Sequence, residues 1–151
     1  MKKVIAIILL SISVMVPVLA RQIDSDYQVN QPKVRFAPVH IYLDSGNKPL
    51  AAYQFELKAT AGQIKIVGVE GGQHKAFEEA PYYDPAALAN DRIIIAAFNI
   101  GSDLPKGRTK IATIHLQIIG DAEPDYELKL TVAADANANE IPAKVSFEKG
   151  E

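Results

Sequence analysis

A period-two alternation of apolar and polar residues, running over residues 39–147, constrains the fold more than any other feature of the sequence. Successive side chains of a β-strand point to opposite faces of its sheet, so an alternating segment has one apolar and one polar face. Such one-sided strands are typical of antiparallel sheets. The apolar positions fall into these groups: Val39, Ile41 and Leu43; Tyr53, Phe55 and Leu57; Ile64 and Ile66; Ala112, Ile114, Leu116 and Ile118; Tyr126, Leu128, Leu130 and Val132; and Ile141, Ala143, Val145 and Phe147. The pattern predicts an all-β protein, a two-layer antiparallel β-sandwich.

Turn residues and one doubly apolar segment complete this pattern. Gly, Pro, Asn and Asp concentrate between the segments, as in residues 45–49, where they tolerate or preset the backbone angles of turns. Residues 93–98 are apolar on both faces, which predicts a central strand. One short helix is expected within a long loop. Asp84 would cap its N-terminus, Pro85 would take the first helical position, and Asn90 would close its end.

The first twenty residues have the composition of a signal peptide. Lys2 and Lys3 precede an apolar stretch that Pro17 interrupts, and Ala20 is a small residue at the expected cleavage position. The apolar stretch is shorter than the ~20 residues that span a bilayer. We expect residues 1–20 to be removed after export, with a retained N-terminal anchor as the alternative. The protein would then be secreted or periplasmic, without membrane contact beyond the signal peptide.

Removal of that segment leaves an N-terminal arm at residues 21–37 and a β-sandwich domain at residues 38–148. Loss of Lys2 and Lys3 leaves 14 of the 16 basic residues against 18 acidic residues, which gives a net charge of −4 with neutral histidines. This mild acidity argues against nucleic acids and anionic membranes, both of which require basic clusters. The chain contains no cysteine, which excludes thiol catalysis, cysteine-based zinc sites and disulfides.

No residue pattern typical of an active site is found. No serine after residue 20 lies in a Gly-x-Ser-x-Gly elbow, and Gly71-Gly72 is not followed by the Lys and Ser or Thr of a phosphate-binding loop. His40, His74 and His115 have no second ligand at a metal-binding spacing. The sequence therefore predicts a non-catalytic protein without a cofactor.

Asp135, Asn137 and Asn139 are a weak candidate for a calcium site, because oxygen-bearing side chains at alternate positions open a calcium loop. Such a loop needs glycine at its sixth position and glutamate at its twelfth, where this chain has Glu140 and Ser146. A hairpin turn between two strands explains the same residues through their tolerance of left-handed backbone. The turn is the preferred interpretation, and no metal is expected.

Residues 71–90 form a connection long enough to have a function of its own. Its candidate binding residues are Phe77, Tyr82, Tyr83 and Asp84. An exposed tyrosine combines a large apolar area with a polar tip, so it can stack on a sugar ring or anchor a protein interface. In the alternative, Phe77 and one tyrosine close an open end of the sandwich. The expected partner is a protein or a polysaccharide.

Six segments share their order and character with the strands of a known family. They are residues 39–46, 50–57, 92–98, 105–107, 111–114 and 133–143. The chain resembles cohesin-type domains over about residues 39–147. The motif that carries this resemblance best is Leu-Ala-Ala-Tyr-Gln-Phe-Glu-Leu at residues 50–57. The resemblance implies a jelly-roll-like sandwich of about nine strands, related in shape to carbohydrate-binding modules. It also implies binding of a protein module through one sheet face, as cohesins bind dockerins.

Three functions are compatible with these features. The first is an exported, cohesin-like module that mediates protein–protein interaction in the envelope or the extracellular space. The alternative is a carbohydrate (polysaccharide)-binding module that uses Tyr82 and Tyr83 in a chain without tryptophan. The third is a structural or assembly protein of the cell envelope, which associates through the edges or faces of its sheets.

Overall fold

Eight β-strands make up most of residues 31–150, which are the residues that the computed structural model describes. The strands are β1 (Val34–Asp44), β2 (Ala52–Ala61), β3 (Gln63–Gly71), β4 (Tyr82–Tyr83), β5 (Arg92–Phe98), β6 (Arg108–Ile119), β7 (Asp125–Ala134) and β8 (Lys144–Lys149). They form two antiparallel sheets with the strand orders β3-β6-β1-β8 and β4-β5-β2-β7. The prediction of an all-β chain built from two antiparallel sheets is thereby confirmed.

The strand count differs from the sequence expectation. Residues 31–150 contain eight strands, four in each sheet, where about nine were expected. Alternation identifies six of the eight strands, and the doubly apolar segment at residues 93–98 identifies β5. Neither pattern finds β4, because a two-residue strand is too short to alternate. β4 is positioned instead by its partner strand, since Tyr82 pairs with Ala96 and Tyr83 pairs with Ile95.

The core is filled by the inward faces of both sheets, mostly at positions that the alternation predicts. Leu50, Ile93, Ile95 and Ile111 are buried outside the alternating groups. The largest fully buried side chains are Ile41, Leu43, Leu50, Tyr53, Phe55, Leu57, Ile66, Ile93, Ile95, Ile111, Ile114 and Leu116. Each such side chain contributes about 1.5–3 kcal/mol relative to an exposed position. The sandwich is therefore held together mainly by aliphatic burial, with Tyr53 as a large polar-tipped member of the core.

β1 begins before the predicted domain boundary. Residues 34–37, the last four of the predicted arm, already pair with β6, from Val34 opposite Ile119 onward. Pro38 cannot donate a backbone hydrogen bond, and it lies where the β8 ladder has not yet begun, since that ladder starts at Val39 opposite Lys149. Residues 1–30, which include the predicted signal peptide, lie outside the described residues. Among residues 31–150, no helix has the length and apolar character needed to cross a bilayer.

The predicted short helix is a single 3₁₀ turn at Pro85–Ala87, and a second such turn lies at Lys75–Phe77. The predicted cap is confirmed, because Asp84 accepts a hydrogen bond from the N–H of Ala86 at 2.9 Å and Pro85 opens the turn. The helix does not extend to Asn90 as predicted, because Leu88 is already extended and Ala89 has a left-handed φ of 67°. A segment this short cannot offset the cost of helix nucleation.

Candidate functional site

The structure separates the four binding residues predicted in residues 71–90. Phe77 is only 3% exposed, and its ring meets that of Tyr53 edge-on at a centroid distance of 5.1 Å. Tyr83 is half-buried and packs against the core. Tyr82 is 70% exposed, and Asp84 is exposed but engaged as the cap of a 3₁₀ turn. Of the four residues, Tyr82 therefore offers an exposed ring for contact, whereas Phe77 belongs to the core.

Close backbone packing fixes Phe77 in this inward position. A Cβ on Gly72 would lie 2.2 Å from the carbonyl oxygen of Lys110, so only glycine allows this approach to β6. The N–H of Gly72 donates to the carbonyl of Phe77 at 2.6 Å, and the side-chain amide of Asn99 donates to the carbonyl of Ala76 at 3.1 Å. The loop between β3 and β4 is thus held against the rest of the protein at two points, by the approach of Gly72 to β6 and by the hydrogen bond from Asn99 to Ala76.

Four large apolar side chains are exposed on the outer side of the β4-β5-β2-β7 sheet. They are Tyr82, Ile94, Phe98 and Val132, with exposed fractions of 70%, 44%, 64% and 41%. The strand register places them on one side, because residues paired across antiparallel strands share a face. Tyr82, Ala96, Gln54 and Val132 form one row across the sheet, and Phe98 lies opposite Ala52. We refer to Tyr82, Ile94, Phe98 and Val132 as the apolar face.

Two aromatic rings dominate one side of the apolar face. The rings of Tyr82 and Phe98 are nearly parallel, at 10°, and their centroids are 6.2 Å apart. Ala52 and Ala96 between the larger side chains leave the middle of the sheet shallow. The opposite end of the same sheet side is charged: Arg92 donates to Glu56 at 2.6 Å and lowers the pKa of that carboxyl below its ordinary value, mainly through this hydrogen bond.

Sequence patterns missed most of the apolar face. β5 lies between β4 and β2, as its two apolar faces predict, yet its outer face is exposed. Ile94 and Phe98 are separated by four residues, the spacing of one strand face, so this repeated apolar position was the available signal. Val132 ended an alternating run and was predicted to point inward. A register shift between β2 and β7, at Gln54 and Phe55, moves Val132 to the outer face.

A hollow of about 230 Å³ adjoins the aromatic pair. It lies between the loop after β3 and the end of β5, and its chemically relevant lining residues are Lys75, Glu78, Glu79, Tyr82, Phe98 and Asn99. A second depression continues from it toward Gly101, Ser102 and Asp103. The apolar face therefore has a polar, mainly acidic pocket at one margin.

At the weak calcium candidate formed by Asp135, Asn137 and Asn139, the carboxylate of Asp135 accepts hydrogen bonds from its own turn. Oδ1 of Asp135 accepts from the N–H groups of Asn137 and Asn139, both at 2.9 Å, and Oδ2 lies 3.2 Å from Nδ2 of Asn139. Hydrogen bonds from Asn139 are the main reason that the pKa of Asp135 is lowered. The left-handed position of this turn is taken by Ala138, with a φ of 62°, and not by an Asn or Asp as expected. The Asp and Asn residues stabilise the turn through their side-chain hydrogen bonds instead. The carboxylate thus stabilises a turn between β7 and the segment that leads to β8.

The three histidines make separate local contacts. Nδ1 of His40 lies 3.1 Å from Oγ1 of Thr113, Nε2 of His115 lies 3.1 Å from a carboxylate oxygen of Glu70, and Nδ1 of His74 accepts from the backbone of the first 3₁₀ turn. Among residues 31–150, no three His, Cys, Asp or Glu residues are grouped so that they could hold a metal ion.

The chain matches no protein-family model, no curated protein and no solved structure. Its function must therefore be inferred from the chemistry of the apolar face and from the sequence motifs described above. The feature of the described surface that most resembles a binding site is the pair of Tyr82 and Phe98 with its adjoining hollow.

Proposed function

We propose that this protein is an exported, non-catalytic binding module that docks a protein partner on the apolar face. The observation that carries this proposal is the exposure of four large apolar side chains on the outer side of one sheet. Three of them, Tyr82, Ile94 and Phe98, lie on the neighbouring strands β4 and β5. Exposed apolar side chains grouped in this way are typical of interaction surfaces. The cohesin-type resemblance supports the same reading, because it implies a jelly-roll-like sandwich that binds protein through a sheet face.

The composition of the apolar face suits a protein interface. Aromatic side chains are enriched in interface cores, and a few of them supply most of the binding energy. Tyr82 and Phe98 provide two such rings on β4 and β5, and Ile94 adds an aliphatic side chain on β5. Val132 lies on β7, on the far side of Gln54 of β2. The ion pair of Arg92 and Glu56 lies on the same side of the sheet and would contribute to a polar rim.

Export supplies the setting of this proposal. The signal-peptide composition of residues 1–20 supports secretion or a periplasmic location, where the partner would be an envelope or extracellular protein. The absence of cysteine from the sequence is compatible with either compartment. The partner would meet a rigid surface, because the strands and their ladders hold the apolar face in place.

A comparative capture experiment tests the protein-binding function. The purified protein, a Tyr82→Ala/Phe98→Ala variant and a Val67→Ala control are immobilised and exposed to envelope extract. Val67 is an exposed apolar residue of the other sheet, so the control loses apolar area outside the proposed site. We expect a protein that is retained by the wild type and the control and lost by the double variant. Retention of the same proteins by all three would contradict docking on the apolar face.

A polysaccharide ligand is the second candidate, and the nearly parallel rings of Tyr82 and Phe98 favour it. Sugar rings stack on aromatic side chains, and the hollow beside this pair contains carboxylate and amide groups that could bind hydroxyls. Tyr83, the other tyrosine predicted for such a site, packs against the core instead. Affinity electrophoresis on a glycan panel tests this function, and equal mobility of the wild type and the Tyr82→Ala/Phe98→Ala variant on every glycan would refute it.

A further inference from the structure

The hollow beside Tyr82 and Phe98 has walls that cannot easily collapse. Gly71 and Gly72 approach neighbouring backbone so closely that a Cβ on Gly71 would lie 2.3 Å from the carbonyl oxygen of Glu78. Phe77 anchors the same loop in the core. The hollow is therefore a preformed feature of the surface, and a group that enters it does not have to order the loop first.

The charges that line the hollow are mainly negative and lack internal partners. None of Glu78, Glu79 and Lys75 takes part in the ion pairs found among residues 31–150. Two carboxylates and one ammonium leave this wall with an excess of one negative charge. Asp103 adds another negative charge in the adjoining depression. Nε2 of His74 lies 3.8 Å from the Asp103 carboxylate. A cation from outside would therefore gain electrostatic attraction here.

The size and the mixed lining of the hollow indicate what kind of cation fits. Its volume of about 230 Å³ lies below the range of about 300–1,000 Å³ that is usual for small-molecule sites. It accommodates one long side chain more readily than a whole ligand. Lysine and arginine have apolar stems and charged ends, so the stem can contact Phe98 while the charge reaches Glu78 or Glu79. A guanidinium can also stack on the exposed ring of Tyr82.

We propose that the protein partner inserts a lysine or arginine side chain into this hollow, next to an apolar side chain that lies on Tyr82 and Phe98. The inference rests on the proposed protein-binding function and specifies the chemistry of the partner. Glu78 and Glu79 then act as specificity-determining residues, while the apolar face supplies most of the contact area. A docking segment with alternating apolar and basic residues meets both requirements at once.

Titration of the purified, ¹⁵N-labelled protein with two matched peptides tests this inference. The cationic probe is a blocked pentapeptide Leu-Arg-Leu-Arg-Leu, and the acidic probe has Glu in place of Arg. We expect the cationic probe to shift the amide signals of Glu78, Glu79, Tyr82 and Phe98, and the acidic probe to bind at least about fivefold more weakly. Because the attraction is between exposed charges, a higher salt concentration should lower the affinity of the cationic probe but not that of the acidic probe.

Two charge variants separate a local effect from a general one. The Glu78→Gln/Glu79→Gln variant should bind the cationic probe with about fivefold lower affinity, since each exposed ion pair contributes modestly to binding. The Glu127→Gln/Glu140→Gln control removes the same charge from exposed positions outside the hollow and should leave the affinity unchanged. Equal loss in both variants would show that net charge, rather than the hollow, attracts the probe, and would overturn the inference.

The remaining outcomes distinguish the inference from the function on which it rests. If both peptides shift Tyr82 and Phe98 with equal affinity, the apolar face binds peptides but the hollow does not select a cation. That result overturns the inference and leaves the proposed function standing. If neither peptide shifts any residue of the apolar face, both are refuted. A parallel titration with cellohexaose that alone shifts Tyr82 and Phe98 would replace both with the glycan-binding function.

Discussion

Replacement of Tyr53 by phenylalanine removes one buried hydroxyl and leaves the ring in place. That hydroxyl donates a hydrogen bond to the carbonyl oxygen of Ile111 at 2.9 Å, from one sheet to the other. Ile41 pairs with Ala112 and Tyr42 with Lys110, so in the described register Ile111 has no partner on β1. The tyrosine hydroxyl therefore satisfies a buried carbonyl at an irregular point of the β6 ladder.

The expected cost of Tyr53→Phe follows from what the substitution leaves behind. A buried carbonyl that loses its donor costs about 1–3 kcal/mol, whereas the total stability of a domain is about 5–15 kcal/mol. The melting temperature should fall by about 3–10 °C for a domain of this size. Tyr82→Phe, which removes a hydroxyl from an exposed ring, is the matched control and should change stability by less than about 0.5 kcal/mol.

The dependence on pH provides an independent check of the same contact. Burial raises the pKa of Tyr53 well above its ordinary value of about 10. The folded protein then retains a proton that the unfolded chain releases, so wild-type stability decreases as the pH rises above about 10. Tyr53→Phe lacks this loss, and the difference in unfolding free energy between the two proteins should shrink by about 1.4 kcal/mol at about pH 11.

Urea unfolding followed by circular dichroism, at about pH 8 and about pH 11, measures both effects. Burial of the ring also raises the pKa of Tyr126, to about 12, but that tyrosine is present in both proteins and its contribution cancels in the difference. A Tyr53→Phe variant as stable as the Tyr82→Phe control at pH 8 would refute the reasoning. A difference that is independent of pH would show that the Tyr53 hydroxyl is not buried in the folded state.

Three further predictions concern the packing of the sandwich and its loops. Ile114→Asp should abolish folding, whereas His115→Asn should be tolerated, because Ile114 is fully buried and His115 is partly exposed on the other side of the strand; melting curves of the two variants decide. Gly72→Ala should destabilise the protein by more than about 2 kcal/mol and shift the amide signals of the following loop, because its Cβ would overlap the Lys110 carbonyl. Asp84→Ala should cost about 0.5–2 kcal/mol through loss of the cap, measured by urea unfolding.

The sequence was informative where one face of a strand is buried and the other is exposed to solvent. The alternation at Tyr53, Phe55 and Leu57 places all three inside, because a shift of one residue would expose all of them to water. The same logic could not reveal the hydrogen bond of Tyr53. That bond depends on the register shift at Ile111, which leaves no trace in the pattern of apolar residues.

The candidate site was harder to predict, because it is formed by pairing between distant segments. Tyr82 was identified from its loop, but Phe98 and Val132 join it only through the β4-β5-β2-β7 strand order. Residues 93–98 were apolar on both faces, and that pattern fits burial on both sides as well as an exposed binding surface. Which of these applies is set by what covers the sheet, and local sequence does not contain that information.

The edges of the two sheets bear on how the protein meets a partner. Edge strands that pair with other chains are long, flat and uncharged. Native proteins avoid such pairing with short edge strands and with exposed lysine side chains. β4 has only two residues, and β8, at the edge of the other sheet, has exposed Lys144 and Glu148. The remaining edges are similarly charged, with Lys65 in β3 and Lys129 in β7. Assembly by strand addition is therefore disfavoured at each edge, whereas the apolar face offers side-chain contacts without an open ladder, which favours docking across the face of the sheet.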